Sequence, residues 1–271
     1  MKVIKAVLAV LLVVVLIVCV IFGAIPLGEY LSEEKQDIDD YNEILEEYTL
    51  ASEPEEEITN EEGETQSKTQ FSGGSTSSVR TKADFKKLLK TNKETVGWIQ
   101  IPGTHLNYPV LHTMDSEKYL TINFKQRKSA SGAIFSCGTV EYDPPSQNIT
   151  LFGHNMRNRT TMFSSLVRYK DKSYYNKHSI IYFDTLYQTG TYKVFAAFNI
   201  NVPNNDFNYT QSYFGSDESF RNFIDEIKKR SLYDMGVDVP DGAEILTLST
   251  CDRREFGKKG RFLVIAGNTD Q

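Results

Sequence analysis

The longest break in the mixed polar and apolar patterning of the chain is residues 6–27, AVLAVLLVVVLIVCVIFGAIPL, twenty-two positions without a charge. A helix of that length crosses a hydrocarbon core of about 30 Å. Lys2 and Lys5 precede the run and a Glu-rich segment follows it. This asymmetry places residues 1–5 in the cytoplasm and residues 28–271 outside the cell. A cleaved signal peptide would have a shorter apolar stretch, about 7–15 residues, and a small-x-small exit. Here the run is longer, and Phe22 occupies the minus-three slot before Ala24. Lipid attachment at Cys19 is disfavoured because Val18 is bulky and the apolar run continues past the thiol. The segment reads as a retained single-pass membrane helix.

In residues 30–50, Leu31, Ile38, Tyr41, Ile44, Leu45 and Tyr48 recur near helical spacing, which predicts a partly helical juxtamembrane stalk. Residues 51–80 turn Glu-, Ser-, Thr- and Gly-rich, with FSGGSTSS at 71–78. Such a composition buries too little apolar surface to offset the entropy of ordering, so residues 28–80 read as an acidic stalk and flexible linker. The folded domain is expected over 81–271. It opens with Thr81 capping a short helix that carries Phe85, Leu88 and Leu89 on one face.

Strand patterning follows. Short apolar or alternating runs at 98–101, 106–111, 133–136, 149–152, 180–184, 192–201, 244–250 and 262–266 are separated by Gly, Pro, Asn and Asp clusters. Eight such runs predict a mainly β domain, either a barrel or a sandwich. One late helix interrupts them. Ser216 is its N-cap, Asp217 and Glu218 suit its first turn, and Lys228, Lys229 and Arg230 suit its last. Phe220, Phe223, Ile224 and Ile227 form the stripe that packs on the sheet and borders any groove beside it.

Charge sharpens this division. Residues 29–64 hold sixteen Asp or Glu against the single basic Lys35, whereas from residue 65 onward there are 27 Lys and Arg against 20 Asp and Glu. A moderately basic domain behind an acidic stalk suits an anionic wall or membrane surface. No zinc-knuckle spacing, aromatic RNP-like strand or clustered basic helix points to nucleic acid.

The chemistry centres on few residues. Of three cysteines, Cys137 and Cys251 lie in the outer domain, where an oxidising exterior permits a bridge between them. Cys251 ends the alternating run EILTLST and shares a face with Ile245, Thr247 and Ser249. A thiol at a strand end, before the charged loop DRREFGKKG, is placed at a rim rather than in a core. It becomes a nucleophile when a base reaches it. Among His105, His112, His154 and His178, only His154 follows an apolar strand and a glycine, which makes it a second strand-end residue. Attack on an amide also needs a donor for the developing oxyanion. Arg261, ten residues after Cys251 and at the start of RFLVIAG, returns beside the sulfur if the two strands form a hairpin. Arg253 and Arg254 read as solvated loop charges.

The segments TLSTC at 247–251, GRF at 260–262 and FGHNM at 152–156, in the order His, Cys, Arg, resemble the sortases. Papain-like and NlpC/P60-type peptidases place the cysteine before the histidine. The resemblance covers most of 81–271 and includes VGWIQIPGTHLNYPV at 96–110 and MFSSLVRY after the histidine; these and the late helix resemble class B specifically. It implies a closed eight-stranded barrel with a few peripheral helices and a two-step acyl transfer without metal or organic cofactor. By resemblance, Cys251 attacks the carbonyl after the threonine of a C-terminal sorting signal on a secreted protein. His154 serves as acid and base, and Arg261 holds the oxyanion or orients the peptide. A peptidoglycan cross-bridge or precursor amine then resolves the thioester. Ser249, Thr250 and Leu120 are implied to line the substrate groove. At AIFSC, Ser136 and Cys137 stand where related sequences often carry an acid, so no assisting acid is carried over there. Two alternatives stay open: a pilin-polymerising sortase whose acceptor is a pilin lysine, and a non-enzymatic membrane-anchored barrel that keeps Cys251 for packing.

Overall fold

A computed structural model describes residues 2–50, 79–156, 160–202, 207–252, 254 and 257–270, with many side chains of the first helix and that of Lys258 outside this description. The linker at 51–78 and Arg253 therefore lie outside the described residues. The chain divides into two units, 1–41 and 42–271.

Helix α1 runs Lys2–Tyr48. In the first unit Ile4, Leu11, Leu12 and Leu16 are exposed, whereas Tyr41 is buried. Among the described residues no helix is long and apolar enough to cross a membrane. The spanning expectation for 6–27 rests largely on side chains outside that description.

In the second unit, eight strands form a closed barrel. They are β1 (Thr95–Gln100), β2 (Asn107–Thr113), β3 (Ile134–Cys137), β4 (Asn148–Phe152), β5 (Ile180–Thr185), β6 (Thr191–Asn201), β7 (Ile245–Cys251) and β8 (Gly260–Asn268). The order around the barrel is β1-β2-β3-β4-β7-β8-β6-β5. Pairings are antiparallel except β2–β3 and β4–β7, which run parallel. Closure of β5 onto β1 leaves no free sheet edge. Every strand expected from the patterning is present, and the barrel rather than the sandwich is the arrangement adopted.

The first short helix, α2 (Phe85–Thr91), begins later than Thr81. Its N-cap is Asp84, whose carboxylate accepts from the Lys87 amide (3.1 Å). Thr81 is used elsewhere: its amide donates to Gln100 Oε1 (2.7 Å), and its hydroxyl accepts from Asn107 Nδ2 (2.9 Å). Thr81 therefore ties the incoming chain to β1 and β2, and the cap falls to the residue adjoining the helix. Two further short helices, α3 (Lys118–Thr121) and α4 (Lys172–Lys177), lie outside the barrel wall.

Helix α5 (Asp217–Arg230) starts at Ser216 in a capping box with Ser219 and buries Phe220, Phe223, Ile224 and Ile227. These pack with Phe195, Phe198, Ile245, Leu263 and Ile265, so α5 covers the outer face of β6, β8 and β7. Each fully buried side chain of this kind contributes about 1.5–3 kcal/mol. The end of α1 packs as well. Ile44 and Tyr48 join Leu88, Trp98, Leu111, Tyr119, Phe124 and Phe135 in a second cluster. Tyr48 Oη is 2.9 Å from Thr91 Oγ1, Lys125 pairs with Glu43 (2.5 Å) and Glu47 (3.5 Å), and Thr49 bridges Ala83. Residues 42–50, part of the stretch read as a stalk, thus pack into the barrel unit.

Candidate active site

The parallel pairing of β4 with β7 and the antiparallel pairing of β7 with β8 bring three sequence-distant residues to one rim. Cys251 and Arg261 are directly opposed across β7 and β8. Opposed residues project to the same face with Cβ atoms about 4.5–5.5 Å apart. That face is the α5 side, because Leu263 and Ile265 share it with Arg261 and lie in the same cluster as Ile245. Both residues are half-buried. The Arg261 guanidinium donates from Nη1 to the Gly260 carbonyl (3.1 Å).

His154 arrives from the neighbouring strand. Phe152 is level with Ser249, so His154 and Cys251 each lie two residues beyond that pair. The residues flanking His154 are both fastened to β7. The Gly153 amide donates to the Ser249 carbonyl (3.3 Å), Thr250 Oγ1 donates to the Gly153 carbonyl (2.8 Å), and Asn155 Nδ2 donates to the Cys251 carbonyl (2.8 Å). A Cβ at Gly153 would lie 2.8 Å from the Phe163 ring, so glycine is required for this close approach. The half-buried His154 ring itself bonds through Nε2 to the Leu120 carbonyl (2.8 Å).

The implied groove residues separate. Leu120 is 36% exposed and sits beside His154. Ser249 is buried, with its hydroxyl 3.4 Å from Tyr209 Oη in the segment leading into α5. Thr250 is buried with its hydroxyl committed to Gly153, so it ties β7 to β4 and offers no exposed surface to a peptide. His112 and His178 lie in structural settings. His112 Nδ1 meets the buried Ser136 hydroxyl (2.9 Å), and His178 Nδ1 donates to the Pro102 carbonyl (2.9 Å).

The register answers the question of a bridge between the outer cysteines. With Phe135 opposite Phe152, Cys137 is level with Thr150 and hence with Thr247. Cys251 is therefore two strand spacings away, about 9–10 Å, and a further four residues along, about 13 Å. A disulfide needs Cα atoms within about 7 Å. Both thiols are free.

Asp252 turns away from the sulfur into an ion pair. Its carboxylate is 3% exposed and 2.6 Å from Lys170 Nζ, and it accepts from the Arg254 amide (3.1 Å). Burial alone would push this carboxyl up, but the Lys170 ammonium and the Arg254 amide more than offset that and hold it below its ordinary value. A depressed carboxyl contributes stability above the unfolded-state value, about 3.9, and loses it as pH falls through the folded value. Lys170→Ala is expected to cost about 2 kcal/mol near neutral pH, less than for a fully buried pair because Lys170 keeps 31% of its side chain exposed. Urea unfolding at about pH 7 and again at about pH 3 checks this, with the difference between the chains shrinking in acid. Sequence reasoning anticipates neither Asn155 nor Lys170. Asn155 follows the histidine directly, whereas Lys170 stands 82 residues from its partner and carries no local signal.

Residues 99–269 match the family model of the sortase domain. The chain is 36% identical over 182 residues to sortase B of Staphylococcus aureus (strain NCTC 8325 / PS 47), covering 67% of this chain and 73% of that one. It is 30% identical over 181 residues to sortase B of Listeria monocytogenes, covering 67% and 72%. A solved Staphylococcus aureus sortase B–substrate complex and a solved sortase B in complex with triglycine superpose with TM-scores of 0.63 at 35% identity, covering 68% of this chain and 84% and 85% of theirs. The family match across nearly the whole barrel, the identity to two sortase B chains and the shared architecture establish that the chain belongs to the class B sortases, which are cysteine transpeptidases.

Proposed function

We propose that this chain is a membrane-anchored transpeptidase that cleaves the C-terminal sorting signal of secreted proteins and joins them to a peptidoglycan amine. The observation that carries the reading is the meeting of Cys251, Arg261 and the β7-fastened His154 at one rim. Cys251 Sγ attacks the scissile carbonyl. Addition forms the C–S bond and a tetrahedral intermediate while His154 takes up the thiol proton; collapse of the intermediate breaks the C–N bond, and His154 passes that proton to the leaving amine. Arg261, opposite the sulfur, stabilises the charge on the carbonyl oxygen in the tetrahedral intermediate. An incoming amine, deprotonated by His154, attacks the thioester carbonyl and releases the thiol. Leu120, exposed beside His154, forms part of the peptide groove.

The uncharged run at 6–27, flanked by Lys2 and Lys5, supports anchoring with the N-terminus in the cytoplasm and the catalytic unit outside. Because a protein 35% identical to this one is solved in complex with triglycine, a peptide α-amine is the favoured acceptor over a pilin lysine. Incubation with a sorting-type peptide plus triglycine or a lysine-bearing peptide tests the choice. Consumption of triglycine is expected, and exclusive transfer to the lysine side chain would overturn it. Arg261→Ala is expected to slow thioester formation on the order of 10²–10³-fold. An unchanged rate would remove Arg261 from the oxyanion role.

A further inference from the structure

The bond between His154 Nε2 and the Leu120 carbonyl has a chemical consequence. A carbonyl oxygen only accepts, so Nε2 must carry the proton in this bond. Nδ1 is then the ring atom that exchanges a proton with Cys251 and the two amines. In other cysteine and serine acyl-transfer sites a side-chain carboxylate or amide orients the imidazole in this way.

The local backbone explains why this carbonyl faces the ring. Its two neighbours are already engaged: the Tyr119 carbonyl accepts from the Ala133 amide (2.9 Å) and the Thr121 carbonyl accepts from the Ser129 amide (2.9 Å). Leu120's own amide is held by the Glu117 carbonyl (3.1 Å). Beneath the turn, Tyr119 is 1% exposed. Its hydroxyl donates to Glu94 and accepts from Asn92 Nδ2 (3.2 Å), while Lys118 Nζ is 2.7 Å from the same Glu94 oxygen. Gly132, at φ +60, lets β3 approach: a Cβ there would lie 2.2 Å from the Tyr119 carbonyl oxygen and 3.1 Å from the Leu120 carbonyl.

We infer that the main-chain carbonyl of Leu120 fixes the tautomer and orientation of His154, and that Tyr119 and Gly132 are the residues that position it. The inference rests on the acid–base role proposed for His154. It assigns to a backbone turn the work that a carboxylate or amide side chain does elsewhere.

Two measurements on the full-length protein test it. Long-range 1H–15N spectra of histidine-labelled chain, taken where the ring is neutral, are expected to show His154 as a single tautomer protonated at Nε2 with slowed exchange of that proton. Gly132→Ala is expected to lower kcat for thioester formation on the order of 10²-fold with KM nearly unchanged, and to leave the ring as a tautomer mixture. An Nδ1-protonated or averaging ring in the unaltered chain would overturn the inference, as would a folded Gly132→Ala chain with normal kcat. Should Gly132→Ala fail to fold, the tautomer of the unaltered chain decides alone. His154→Ala at full rate would instead sink the acid–base role itself, so the two failures are distinguishable.

Discussion

A Cys251→Ala chain is expected to keep its fold and lose thioester formation and peptide cleavage altogether, a fall on the order of 10⁴–10⁶ in rate. The fold should survive because little of it depends on the sulfur. Cys251 is half-buried at the end of β7, outside both core clusters. What holds its position is main chain: the ladder to Arg261 and the Asn155 side-chain bond to the residue's own carbonyl (2.8 Å). Alanine keeps all of these. The urea midpoint should therefore be nearly unchanged while the nucleophile is absent, and that pairing of results separates a catalytic thiol from one kept for packing. Retained cleavage by the variant would refute the nucleophile assignment.

His154→Ala should lower the rate of acyl transfer on the order of 10²–10⁴-fold, the range for removing one positioned acid–base group. The thiol would remain, but leaving and incoming amines would have to exchange protons with water. The backbone around residue 154 should hold, since Gly153 and Asn155 carry the bonds to β7 and the Phe163 amide binds the His154 carbonyl (3.0 Å). Pre-steady-state measurement of thioester appearance, with circular dichroism as the folding control, checks this. A loss under about threefold would move the acid–base work to another group.

Much of this site is legible in the chain because it is built on strand ends. Alternation along EILTLST places Cys251 on a polar-lined face at a rim, and the ten-residue return to Arg261 implies the β7–β8 hairpin that the ladder contains. The parallel partnership of β4 with β7 is not legible, since nothing local specifies which strand lies beside which; without it His154 is only one strand-end histidine among other residues. Contacts made by main-chain atoms leave no trace either. Every residue has a carbonyl, so nothing about Leu120 in the sequence marks it as the partner of a histidine ring. The end of α1 escapes for a different reason. Ile44 and Tyr48 have the spacing of a helical face, but an apolar face does not name what covers it, and the cluster they join is assembled from residues 88 to 135. Thr81 is not the cap because Asp84, three residues on, competes for the same role and adjoins the helix.

The central assignment is most directly tested by a mass spectrum of the protein trapped with a sorting-type peptide. The predicted result is a mass increase equal to the peptide's N-terminal acyl fragment, located on the proteolytic fragment containing Cys251 and removed by hydroxylamine or triglycine. Cleavage of the peptide with Cys251 unmodified and the adduct on Cys137 or another residue would contradict it.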